Sequence, residues 1–152
     1  MRNTKVRPWK SMSLVLVMIF GLIAGVMAML KNPSKSESEA HLEAMIRDMD
    51  AALKVGGIVD STNSSAKFGG ALLIKNINAN SWNLDLAKAY QRELMKRGWV
   101  RKSNDENVLI LCKNHMLARI NDFPEKDSSR GLPRDVYGFS MIYDVRTKKE
   151  CD

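Results

Sequence analysis

Residues 12–30, MSLVLVMIFGLIAGVMAML, hold no charged side chain, and Arg2, Lys5, Arg7 and Lys10 stand just ahead of them. A bilayer core of about 30 Å needs about 20 apolar residues in a helix, and this run is of that length. Gly21 and Gly25 do not argue against such a helix, since glycine is frequent in membrane spans. The basic flank belongs on the cytoplasmic side. The run therefore predicts a cytoplasmic N-terminus, a single span of the inner (plasma) membrane, and a C-terminal domain in the periplasm or outside the cell. The corresponding division is a basic segment at 1–11, a signal anchor at 12–30, a linker at 31–38 and one exported domain at 39–152. A cleaved signal peptide is the alternative. Val26-Met27-Ala28 fits a small-x-Ala cleavage site loosely, but signal cores usually span about 7–15 residues.

The net charge of +7 is partly a consequence of that flank. Four of the 24 Lys and Arg residues precede the apolar run, leaving 20 against all 17 Asp and Glu. So mild an excess does not suggest a nucleic-acid partner, which usually calls for a concentrated basic face. About 120 residues remain for one small domain.

Cys112 and Cys151 are the only cysteines. In an oxidising compartment an even pair reads as a disulfide. Closing a loop of about 40 residues stabilises by about 3–4 kcal/mol on the chain-entropy estimate.

Hydrophobic spacing supplies the elements. Leu42, Met45, Ile46, Met49 and Leu53 form a helical stripe that ends at Gly56-Gly57. Its start is expected at Ser36 or Ser38, with Ser36 and Glu39 spaced as a capping box. Trp82, Leu86, Tyr90 and Leu94 mark a second helix that stops at Gly98. Beyond it the period changes to 2. Strands are expected at Trp99–Lys102, Val108–Lys113, His115–Ile120 and Tyr137–Val145, with a turn at Ser103–Asn107 and a long loop over 121–136. Residues 54–79 read poorly. Ile58-Val59 suggests a short strand, 60–67 (DSTNSSAK) a polar loop, and Ala71–Ile74 a buried strand or the start of a helix. The fold expected is α+β, with an N-terminal transmembrane helix and two helices packed on an antiparallel sheet of about four strands.

No motif names a reaction. Gly-x-Ser-x-Gly, Walker and Gly-x-Gly-x-x-Gly patterns do not occur. His41 and His115 are the only histidines, too few with two cysteines to suggest a zinc shell. Asp105, Glu106, Asp122, Glu125 and Asp127 fall in polar loops, where carboxylates are usually solvated. No catalytic residue, metal or cofactor is therefore expected. The best surface candidate is the corner of Lys96, Arg97, Trp99, Arg101 and Lys102, four cations around a tryptophan. Such a corner suits an anion or an acidic partner, unless Trp99 fills the core instead.

These features predict a membrane-anchored, non-enzymatic binding module that acts outside the cytoplasm and holds another protein. Immunity proteins and accessory subunits of envelope machines have this layout. A small secreted enzyme or lipid-headgroup binder using the corner at 96–102 is one alternative. A pilin-like structural subunit is another: the general plan is similar to that family's, with an apolar helix, a second helix, a sheet and a C-terminal cysteine. The chain departs from it where Lys10-Ser11 replaces the processed glycine and no acid lies within the apolar run.

Overall fold

The computed structural model describes residues 8–103, 108–128 and 133–152. Side chains are not described at 8–12, 24, 27–30 and 103. The chain divides into two compact units, residues 1–32 and 33–152.

The first unit contains one helix, α1 (Pro8–Lys31). Its apolar side chains from Leu14 to Val26 are exposed wherever they are described. The apolar run is thus helical, but among the described residues no helix is long and apolar enough to cross a membrane. This corrects the expected transmembrane anchor. The membrane as a one-span partner and single-pass placement in the inner membrane rested on that anchor and are not supported.

The second unit opens with α2 (Lys35–Leu53). Its N-cap is Ser34, two residues before the expected Ser36. Ser34 Oγ accepts the Glu37 amide at 3.1 Å, and the Glu37 carboxylate accepts the Ser34 amide, completing a capping box. Then follow β1 (Val59–Lys67), β2 (Gly70–Asn78), α3 (Leu84–Lys96), β3 (Val100–Ser103), β4 (Val108–Lys113), β5 (Met116–Asn121), β6 (Glu125–Asp127), β7 (Arg134–Asp144) and α4 (Val145–Glu150).

The class is α+β, but the described residues form seven strands and four helices, not about four strands and two packed helices. Four elements, β1, β2, β6 and α4, account for the difference within this unit, and Ala71–Ile74, read as a buried strand or the start of a helix, lies in β2. Residues 60–67, expected as a loop, lie in β1, because edge pairing with β2 satisfies the backbone although Ser and Asn have little strand propensity. The expected long loop contains β6 and the start of β7. The tail folds as α4, capped by Asp144. Residues 104–107 of the expected turn and 129–132 of the loop lie outside the described residues.

The sheet runs β1-β2-β7-β5-β4-β3, with β6 also on β7, and every pair is antiparallel. The last strand therefore lies in the middle, between β2 and β5. The β4–β5 hairpin turns through Asn114 and His115, with φ of 48° and 63°. Two positive φ values in a two-residue loop match the right-handed twist of the flanking strands.

Alternation along the strands gives the sheet two unlike faces. Leu73, Ile77, Leu111, Ile120, Phe139, Met141 and Tyr143 point to one face and are buried. Met45, Met49 and Ala52 of α2 and Ala87, Tyr90 and Leu94 of α3 close over them. Leu72, Ile74, Ser140, Ile142 and Asp144 point the other way and are half-buried. Of the described helices of this unit, α4 packs on this second face, at one end.

Candidate functional site

Three arrangements of side chains collect the unit's polar chemistry. The first centres on Asp48, whose position on α2 faces inward one turn before Ala52. Its side chain is 8% exposed. Its carboxylate accepts from the indole Nε1 of Trp99 at 2.9 Å, from Lys113 Nζ at 2.8 Å and from Arg97 Nη1 at 3.4 Å. Burial pushes the Asp48 carboxyl up, but the hydrogen bonds from Lys113 and Trp99 outweigh it and hold the group below its ordinary value.

The predicted basic corner is therefore divided. Trp99 is buried and has its N–H directed at Asp48. Arg97 shares that carboxylate. Lys96 pairs with Glu93 at 2.6 Å. The charge of Arg101 acts on Asp122. Lys102 lines a separate shallow depression with Lys113, Asp152 and the two cysteines. Trp99 is not available to stack on a ligand. Asp48 was missed in the sequence, where an acid within a helix reads as a wet-face residue. Its place one residue before Met49 of the apolar stripe was the available signal.

The second arrangement joins the start of α2 to the end of β7. The Tyr143 hydroxyl donates to Glu37, and Lys148 Nζ donates to the same carboxylate at 3.1 Å. The His41 ring stacks on Tyr143 with centroids 3.7 Å apart. The hydrogen bonds from Tyr143 and Lys148 hold the Glu37 carboxyl below its ordinary value. Burial pushes the Tyr143 hydroxyl up and the His41 imidazole down. Each group is turned toward another member of the set, so the arrangement works as a clasp between α2 and α4.

The third is a groove of about 670 Å³ on the open face of the sheet. Leu72 and Ile142 floor it, from neighbouring strands β2 and β7. Asn63, Ser65 and Lys67 of β1 form one bank, and Arg146 stands on the other. Phe68, 57% exposed, closes the end at the β1–β2 turn. Gly70 gives this turn its close approach to β7: an added Cβ would overlap the Tyr143 carbonyl oxygen. Asp144 accepts the amides of Arg146 and Thr147 at 2.7 and 2.9 Å and pairs with the Arg146 guanidinium. Burial pushes Asp144 up, and these donors, Thr147 foremost, bring it below its ordinary value. The result is an apolar floor with a polar, mixed-charge rim. That pattern suits a polypeptide segment better than a single small anion.

Cys112 and Cys151 are joined as a disulfide, with Cα atoms 5.4 Å apart. It ties the chain after α4 to β4. Among the described residues, no group of three or more His, Cys, Asp or Glu is placed to share a metal ion. No protein-family model, curated protein or solved structure matches the chain.

Proposed function

We propose that this chain is a non-enzymatic binding module that holds a segment of a partner protein along the open face of its sheet. The observation that carries the reading is the groove floored by Leu72 and Ile142, left uncovered by α2 and α3 and reached by α4 only at its edge, although both floor residues are apolar. Protein-binding patches combine such an apolar centre with a polar rim. The groups best suited to acid–base chemistry are spent on one another: Glu37 on Tyr143 and Lys148, and Asp48 on Trp99 and Lys113.

The test is competitive capture from the source organism. The immobilised full chain is compared with Leu72→Asp and Lys88→Glu, both first checked for native circular dichroism. Leu72→Asp is expected to lose a discrete captured protein that wild type and Lys88→Glu retain. Equal capture by all three would contradict the reading, because Lys88 is an exposed residue of α3, away from the groove.

A further inference from the structure

We infer that two copies of this chain join edge to edge through β1, in antiparallel pairing about a twofold axis at Asn63. The inference is independent of what the groove holds.

The two ends of the sheet are built differently. At one end β3, described over Val100–Ser103, carries Arg101 and Lys102 and pairs irregularly with β4 between Arg101 and Ser103. Charge and irregularity are among the usual means of discouraging a further strand. At the other end β1 has nine residues and pairs in unbroken register with β2 from Ser61 to Lys67. It holds no proline, and no cation before Lys67. Among the described residues no strand pairs with its outer side. A long regular edge of this kind is a template for another strand.

The ends of β1 specify a second copy in antiparallel sense. Asp60 lies near the start of the strand and Lys67 at its end. Parallel pairing sets like charges abreast, whereas antiparallel pairing sets unlike charges near one another. Ile58 precedes the strand and Phe68 follows it, 62% and 57% exposed. Asn63 lies midway between them. With Asn63 opposite Asn63 of the second copy, Ser61 faces Ser65, Thr62 faces Ser64, and Ile58 approaches Phe68 at both ends. The irregularity between Val59 and Ser61 shifts Ile58 by about one position, still within reach of an aromatic side chain. The axis stands normal to the sheet, so the open faces and their grooves lie on the same side of the joined sheet.

The test uses the full chain in a nonionic detergent, because α1 exposes apolar side chains. Sedimentation measures the self-association of wild type, Asn63→Lys and Asn63→Asp, each checked for native circular dichroism. Wild type is expected to dimerise. Each variant sets like charges across the axis and is expected to dimerise about fivefold more weakly or worse. An equal mixture of the two variants is expected to recover wild-type association as heterodimers. Asn63→Cys is expected to crosslink copies on mild oxidation, since paired Cα atoms about 4.5–5.5 Å apart suit a disulfide. A wild type that stays monomeric, an association unchanged by Asn63→Lys, or a mixture no tighter than its parts overturns the inference.

Discussion

The Trp99 indole N–H donates to Asp48 at 2.9 Å inside the core, joining α2 to the turn that leads from α3 into β3. Asp48→Ala removes the acceptor from a buried donor and leaves Lys113, itself 24% exposed, without this partner. The expected loss is about 3 kcal/mol in urea denaturation. Trp99→Phe keeps most of the ring and forfeits the hydrogen bond, for about 1–2 kcal/mol. In a double-mutant cycle the two losses are expected to add to more than the double variant loses. Strict additivity would show that the bond contributes nothing.

Stability is expected to fall in two separate steps as pH decreases. His41 is held below its ordinary value chiefly by burial. A depressed folded-state pKa contributes stability that is whole above the unfolded value, about pH 6.5, and is lost as pH falls through the folded one. Glu37, Asp48 and Asp144 are depressed too. Their contributions are whole above the unfolded values, about pH 4–4.5, and are lost as pH falls from there through the lower folded values. Urea midpoints measured between pH 7.5 and pH 3 therefore resolve the steps. His41→Phe preserves a ring against Tyr143 and is expected to remove the upper step alone.

Gly57→Ala is expected to destabilise by about 2–3 kcal/mol. Gly57 has φ +91°, and an added Cβ would overlap the Tyr90 hydroxyl and crowd Leu86. That hydroxyl donates to the Gly56 carbonyl at 2.7 Å, which fixes α3 beneath the turn after α2. Burial pushes its pKa up to about 12. Gly69→Ala is the control, since an added Cβ there meets no atom within 4 Å although φ is again positive. Thermal melts are expected to show the larger loss at Gly57.

Reduction of the bond between Cys112 and Cys151, 39 positions apart, is expected to lower the melting temperature. The chain-entropy estimate for a loop of this size is about 3–4 kcal/mol. Cys112→Ser with Cys151→Ser is expected to melt with the reduced protein and to be indifferent to reductant. A wild-type melt unchanged by reductant would contradict the bond's contribution.

What was legible in the sequence is what depends on side-chain period. The stripes Met45–Met49 and Tyr90–Leu94 face the core, and Phe139, Met141 and Tyr143 alternate into it. What escaped depends on partners distant in the chain. The Ser- and Asn-rich β1 becomes a strand because β2 offers it a ladder, and no property of 60–67 read alone shows that. β7 takes the centre of the sheet although it comes last, an arrangement that local pattern does not encode. The groove draws on β1, the β1–β2 turn, β2, β7 and α4 at once, so no short segment announces it. Charge counting picked out the corner at 96–102 but could not show that Asp48, which lies 49 and 51 positions earlier, holds two of its residues.

The most direct test of the binding reading is site-specific photocrosslinking in the source cell. A photoreactive residue is placed at Ser65 or Phe68 on the groove, and at Lys88 or Arg92 on the exposed side of α3. Besides the self-adduct of paired copies, the expected result is one discrete heterologous adduct from Ser65 and Phe68, absent from both α3 positions and lost when Leu72→Asp is added. Adducts of equal yield from all four positions, or from the α3 positions alone, would contradict it.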